Sequence, residues 1–308
     1  MHRNSRIFIV GHNDSIENSL KSYFQAKGFR HAVSNTQDRI NVLDQLQVEK
    51  FFKSFRPEYV FLGSVRSGGI IANQKFPAEF IYENLQAQSL VIDAARVAQA
   101  KKLLYFSSSC AYPALAKQPI RETSLLTGAL ESTSEAYAVA KIAGIKMCQA
   151  YRAQYGFKSV VAVPATLYGP GSDTDMESAH VLGALTAKFH KAAAEGNGEV
   201  AVWGSGRPRR EFLYVDDFVS ACVFLMEKYD GQEPVNIGCG HDVPIRRLAQ
   251  MLKKVSGFKG KIIFDASKPD GVMRKLLDSS RLRRLGWRAK VGLEEGIEKT
   301  YRWYVKNL

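Results

Sequence analysis

Short apolar runs alternate with amphipathic stretches through the first half of the chain. Arg6-Ile7-Phe8-Ile9-Val10-Gly11 reads as a buried strand ending in a turn. Residues 14–27 carry a helical pattern with Gly28 as the stop, and helical spacing returns near 44–55. Tyr59-Val60-Phe61-Leu62 is the next strand, and a long helix follows Pro77 to about Ala100. Leu103-Leu104-Tyr105-Phe106 is a further apolar run that ends in the small polar stretch Ser107-Ser108-Ser109. The spacing then predicts a helix over 135–155 and a strand over 159–163. Strands and helices alternating at these lengths predict a parallel sheet wound on both faces.

Beyond residue 165 the rhythm becomes irregular. Helices are predicted near 177–195, 216–228, 244–256 and 292–306, with short strands at 199–203, 235–237 and 261–264 between them. The expected class is α/β. A Rossmann-type doubly wound parallel sheet occupies residues 1–165, later segments return to it, and residues 166–308 form mainly a smaller interleaved substrate-binding lobe. Ligands of such sheets sit beyond the carboxyl ends of the strands, where Ser107–Ser109 lies.

The chain has 308 residues, 45% of them hydrophobic, which suffices for a large core. No apolar run is long enough to span a bilayer, and the first residues lack the apolar core and cleavage site of a signal peptide. Cys110, Cys148, Cys222 and Cys239 are spaced as neither a zinc site nor a disulfide framework. No metal is expected, and a reducing cytoplasm is the natural compartment. The net charge of +13 would attract a polyanion, an anionic membrane or a phosphorylated small molecule, or would simply solvate the surface. Basic residues cluster at Arg207-Pro208-Arg209-Arg210 and Arg281-Leu282-Arg283-Arg284, but no nucleic-acid motif accompanies them. Neither a nucleic-acid nor a membrane partner is expected.

Tyr137-Ala138-Val139-Ala140-Lys141 is the strongest chemical pattern. Residues four apart share a helix face, so the Lys141 ammonium can lie beneath the Tyr137 phenol. A positive charge there favours the phenolate and lowers the tyrosine pKa from about 10. Such a tyrosine can exchange a proton with a sugar carbonyl or hydroxyl, and a serine at a strand end can bond the same oxygen. An isolated pair of this kind is usually surface decoration. Here it follows the Ser107–Ser109 run by about thirty residues, which gives it weight.

Several segments resemble the GDP-L-fucose synthases, a group of the extended short-chain dehydrogenase/reductases. They are Ser107-Ser108-Ser109-Cys110-Ala111-Tyr112-Pro113, Leu115-Ala116-Lys117-Gln118-Pro119, and Ala138 through Lys146. Gly68-Gly69-Ile70, Phe80-Ile81-Tyr82-Glu83-Asn84, Trp203-Gly204-Ser205-Gly206, Arg210-Glu211-Phe212-Leu213 and Phe264 through Gly271 also match. The resemblance implies a homodimer acting on a GDP-linked 4-keto-6-deoxy sugar, with epimerisation at C3 and C5 and reduction at C4 by NADPH. By resemblance, Ser108, Tyr137 and Lys141 are the reductase triad, and Cys110 and His180 the base and acid of epimerisation. Lys188, Trp203, Arg210 and Asp270 match substrate contacts, although Trp203 reads equally well as a core aromatic. Gly11, His12, Asn13, Ser15, Ile16, Asp44, Ser107, Pro164, Thr166 and Leu167, with Ser108, Tyr137, Lys141 and His180, fall at the implied NADP positions. The epimerase chemistry is coherent, because protons at C3 and C5 flank a ketone and leave to form an enolate.

One loop departs from the family. Its Gly-His-Arg-Gly-Met-Val-Gly is Gly11-His12-Asn13-Asp14-Ser15-Ile16-Glu17 here, with acids in place of two glycines. Those glycines let the backbone approach a pyrophosphate. A carboxylate about 4 Å from a phosphate charge costs about 4 kcal/mol at an effective dielectric of about 20. Asp14-Ser15-Ile16-Glu17 also reads as a capping box, whose side chains would occupy amides that a phosphate uses. The family's arginine after the loop histidine is Asn13 here, the arginines expected to meet the 2′-phosphate fall at Asn35 and Gln37, and Asp38 is a poor ribose ligand. Three readings follow: a cofactor held through an altered loop, an epimerase or related sugar reductase with altered or lost cofactor binding, or a non-catalytic nucleotide-sugar-binding or scaffold protein.

Overall fold

Strand and helix alternate from the N-terminus in the computed structural model, which describes every residue except Asn13, Asp14, Glu177, Ser178 and Pro269. β1 (Arg6–Val10) leads to α1 (Ser15–Ala26), β2 (His31–Ser34) to α2 (Gln45–Phe55), and β3 (Tyr59–Leu62) to α3 (Ile70–Lys75) and α4 (Pro77–Val97). β4 (Lys102–Phe106), α5 (Glu135–Tyr155), β5 (Ser159–Pro164) and β6 (Thr166–Tyr168) follow. Next come α6 (Val181–Glu195), β7 (Glu199–Trp203), β8 (Arg209–Arg210), β9 (Phe212–Tyr214), α7 (Val215–Lys228) and β10 (Val235–Ile237). The last elements are β11 (Val243–Pro244), α8 (Ile245–Ser256), β12 (Lys261–Asp265), β13 (Arg274–Lys275), α9 (Ser280–Arg284) and α10 (Leu293–Lys306).

The principal sheet has six parallel strands in the order β10-β5-β4-β3-β1-β2. Covered on both faces, its central strands can be continuously apolar, and β4 is buried at every position. The chain moves outward from β1 to β2 and then back past β1 to β3, so strand order reverses between β1 and β3. With right-handed crossovers, α1 must lie on one face and α2, α4 and α5 on the other. Accordingly α4 packs on α2 and α5, while α1 packs on α7. The reversal opens a crevice beyond the carboxyl ends of β1 and β3, the place where such folds bind ligands. Gly63 closes the far side of that crevice, since a Cβ there would sit 2.7 Å from the Val10 carbonyl oxygen.

A second apolar cluster gathers α6, α8 and α10 around the parallel pair β7 and β12, with Phe189, Leu248 and Phe258 at its centre. The two clusters meet on the paired strands β6 and β9, where Leu213 belongs to the first and Tyr168, Phe212 and Tyr214 to the second, and a further small sheet has the order β11-β8-β13.

The long helix predicted to reach about Ala100 ends at Val97, because Gln99 adopts φ 56°, the left-handed region. The helix predicted from residue 177 begins at Val181, with His180 as its N-cap residue. α3 and the two-residue strands β8, β11 and β13 were not anticipated, since segments so short carry no legible periodicity.

Candidate active site

β4 ends against β5, with the Ser107 amide donating to the Ala162 carbonyl at 2.8 Å. Ser108 is extended and caps the 3₁₀ turn Ser109–Ala111, its Oγ accepting from the Cys110 amide at 3.2 Å. That turn sets Cys110 just beyond the strand. Ser107 Oγ is buried, and among the described residues it finds no hydrogen-bond partner. An unsatisfied buried hydroxyl costs about 1–3 kcal/mol, so this one favours a polar ligand.

α5 presses on β4 at Gly144, where a Cβ would lie 2.2 Å from the Tyr105 ring. The close approach brings Lys141 under the strand end. Its Nζ donates to the Phe106 carbonyl at 3.0 Å and lies 5.7 Å from the Tyr137 ring centroid. Burial pushes the Lys141 pKa down to about 7. Tyr137 Oη lies 2.9 Å from Ser64 Oγ, a residue just past β3. The Ser64 carbonyl also accepts from His12 Nδ1 at 3.1 Å. His12 Nε2 pairs with Ser67 Oγ at 3.0 Å. Ser64 was not singled out by the sequence; its one signal is its place beside Gly63 at a strand end.

Cys110 has a partner 165 positions away, the ammonium of Lys275 on β13, at 3.7 Å from its Sγ. Burial alone would raise the thiol pKa. The Lys275 charge and hydrogen bonds with Ser108, Ser134 and Lys275 outweigh it, leaving the pKa below the ordinary value. His180 is reachable by solvent yet ringed by protein. Its loss of hydration lowers the imidazole pKa, Asp173 opposes this, and Lys275 and His12 add to it.

Trp203 is 49% exposed, which excludes the core reading, and the Lys188 ammonium lies 5.1 Å from its ring. Arg210 Nη1 donates to the carbonyls of Arg209 and Val272, at 2.9 and 2.6 Å. Asp270 accepts from the Ser205 amide and hydroxyl at 2.8 and 2.6 Å. Arg210 feels the charges of both Cys110 and Asp270, so β8 joins the lobe to the catalytic turn.

Residues 7–238 match the model of the NAD dependent epimerase/dehydratase family. The chain belongs to that family. It is 49% identical to a probable GDP-L-fucose synthase of Oryza sativa subsp. japonica, over 99% of this chain and 94% of that one. It is 45% identical to the GDP-L-fucose synthase of Escherichia coli, over 98% and 97%. Among solved structures, a GDP-6-OMe-4-keto-L-xylo-heptose reductase from C. jejuni superposes with a TM-score of 0.94 at 35% identity, covering 100% of this chain and 99% of that one. MlghC, a GDP-mannoheptose C4 reductase from Campylobacter jejuni with NADP bound, gives 0.89 at 37%, covering 99% of each.

For this family member, the positions implied for a dinucleotide divide in two. Around the end of β4, the unpartnered Ser107 hydroxyl, Tyr137 and Lys141 fit a nicotinamide and its ribose. Pro164 closes β5, while Thr166 and Leu167 pair with β9. At the other end, the Gly11 amide is taken by Asn35 Oδ1 at 2.8 Å. Glu17 is 1% exposed, accepts from the Thr36 hydroxyl, and would lie 2.9 Å from a Cβ at Gly11. A carboxylate therefore lines the turn where a pyrophosphate approaches. Ser15 and Ile16 open α1, and Ser15 is buried. Asp44 caps α2, accepting from the Gln47 amide and side chain at 3.1 Å each. Asn13 and Asp14, and with them the capping-box reading, lie outside the described residues.

Proposed function

We propose that this chain is an NADP-dependent epimerase/reductase of GDP-4-keto-6-deoxy sugars, with the chemistry of the GDP-L-fucose synthases. The observation that carries the reading is the pairing of a Tyr137–Lys141 reductase arrangement with an activated thiol, Cys110, in a chain 45–49% identical over nearly its whole length to proteins of that name.

The Cys110 thiolate takes the proton from C3 or C5, and its electron pair moves to the C4 oxygen as an enolate. Tyr137 and Ser108 donate hydrogen bonds to that oxygen. His180, as the imidazolium, gives a proton to the opposite face, which inverts the centre; the thiol then releases its proton to solvent and the imidazole takes one up. When bound, NADPH supplies the hydride for C4. Tyr137 then protonates the C4 oxygen, while the Lys141 charge beneath it and Ser64 beside it help deliver that proton. Trp203, Lys188, Arg210 and Asp270 line the sugar-nucleotide side, with Arg210 suited to a diphosphate.

The proposal assigns the dinucleotide to residues 1–165 with the returning β10, and the sugar nucleotide mainly to 166–308. It includes a homodimer in the cytoplasm, with no nucleic-acid or membrane partner. Four free thiols support a reducing compartment, and among the described residues no helix is long and apolar enough to cross a membrane. A second reading, epimerisation without reduction, is favoured specifically by Glu17 in the pyrophosphate turn.

The test uses a GDP-4-keto-6-deoxy sugar in deuterated water, with and without NADPH. The proposal expects deuterium at C3 and C5 in both cases and NADPH consumption in the first. Exchange without consumption selects the second reading, and neither signal overturns both.

A further inference from the structure

Lys275 reaches the catalytic turn from a distant part of the chain, and its backbone is fixed on both sides. β13 pairs with β8 in the register Arg274↔Arg209 and Lys275↔Arg210. Arg274 is bonded to the buried Asp242 at 2.5 Å. Beyond Lys275, the Leu276 amide donates to Gln118 Oε1 at 2.9 Å and the Leu277 amide to Glu211 Oε2 at 3.0 Å. A lysine on a loop would sample many rotamers, whereas this one springs from a clamped strand and ends 3.7 Å from Cys110 Sγ. Among the described residues no carboxylate pairs with its ammonium, so the thiol is its polar partner.

We propose that Lys275 is the positioning residue of the epimerisation, the ammonium that holds Cys110 as a thiolate. The proposal rests on the reading of Cys110 and His180 as the proton-transfer pair.

The groups facing the thiol come from four elements. Ser108 follows β4, Ser134 precedes α5, Arg210 stands on β8 and Lys275 on β13. The two hydroxyls can bond either form of the sulfur, but the two cations favour only the thiolate. Of these cations, Arg210 is bonded through Nη1 to two backbone carbonyls, and Lys275 touches the sulfur. The charges of Asp173, after β6, and of His12, after β1, act on the His180 imidazole, as does that of Lys275. Among the described cations, Lys275 is thus the one in contact with the thiol, and its charge lowers the thiol pKa.

Its action on the thiol titration distinguishes a positioning role from a packing role. Replacing Lys275 with methionine keeps most of the length of the side chain and removes the charge. Loss of an opposite charge in contact raises an acid's pKa by about 1–2. The thiolate fraction near neutral pH, and with it the rate of alkylation, should then fall about 10- to 100-fold. The limb of the epimerase pH profile set by the thiolate should move to higher pH, whereas lost packing would lower the rate without moving it.

The experiment is the pH dependence of iodoacetamide alkylation at Cys110 in the full chain, read by peptide mass spectrometry with Cys110→Ser as the blank. Wild type should react with a midpoint below that of an ordinary cysteine. Lys275→Met should move the midpoint up and Lys275→Arg should restore it. An unmoved midpoint in Lys275→Met overturns the proposal. So does an ordinary or raised midpoint in the wild type, a result that needs no variant to fold. Alkylation requires no substrate, so the two readings fail separately. A shifted midpoint with no deuterium exchange on a keto-sugar supports the Lys275–Cys110 coupling and sinks the epimerase reading. Exchange with an unshifted midpoint does the reverse.

Discussion

A single hydroxyl distinguishes Tyr137 from phenylalanine, and its surroundings separate its chemistry from its packing. The ring packs edge-on against Phe80, with centroids 6.0 Å apart, and the hydroxyl meets Ser64. Tyr137→Phe should keep the ring contact and lose the proton donor. C4 reduction, followed as NADPH oxidation, should fall by about 10²–10⁴-fold, with the circular dichroism spectrum unchanged. Reduction at the wild-type rate would remove Tyr137 from the mechanism. Lys141 adds a pH dependence: its charge is present below about pH 7 and is lost above. Wild-type reduction should therefore decline on the alkaline side as Tyr137 becomes a weaker acid. Tyr137 and Lys141 were legible because a helix converts a four-residue spacing into a shared face. Ser64 and Lys275 were not, because their contacts with Tyr137 and Cys110 cross 73 and 165 positions and leave no local pattern.

At the scale of elements, the N-terminus of α1 is where acids stand in a loop that resembles a glycine-rich one. A helix start offers free amides and a partial positive charge to a phosphate. Here Glu17 faces Gly11 from the first turn and is tied to Thr36 beyond β2. Glu17→Gly should remove a poorly screened repulsion of about 1.4 kcal/mol, which is about tenfold in affinity for NADPH. Against this stands the helix-propensity cost of glycine, about 1 kcal/mol of stability. Calorimetric titration of wild type and variant decides the matter. Equal affinities would mean that the phosphate is held elsewhere. The substitution of the glycines was plain in the sequence, but the direction of the carboxylate was not, since it depends on how closely β2 and the loop after it approach β1.

Across the whole molecule, the small sheet of β11, β8 and β13 draws together segments from residues 209 to 275. Asp242, its side chain 4% exposed, holds that sheet by bonding Arg209 at 2.8 Å and Arg274 at 2.5 Å. Burial would raise its pKa, but the bonds from Arg209 and Arg274 outweigh this and hold it below the ordinary carboxylate value. A carboxylate depressed in the folded state contributes stability that is present above its unfolded pKa and lost as pH falls through the folded value. Removing one partner of a buried ion pair costs about 3–5 kcal/mol. Because both arginines reach water, Asp242→Asn should cost about 3 kcal/mol or less at pH 7. Urea unfolding at pH 7 and pH 3 should show the gap between wild type and variant closing at the lower pH. A gap of the same size at both would mean that the charge is not what holds the sheet.

Local pattern alone determined the alternation of strands and helices, the parallel sheet and the Tyr137–Lys141 face. Each follows from a period of hydrophobic positions that a single segment carries within itself. The tertiary structure decided which loops meet in the crevice between β1 and β3, that Trp203 faces solvent, that Glu17 lies over Gly11, and that Lys275 reaches Cys110. These depend on strand order and on the docking of two-residue strands. Such contacts form between parts of the chain too distant, and too short, for either to register the other in its own sequence.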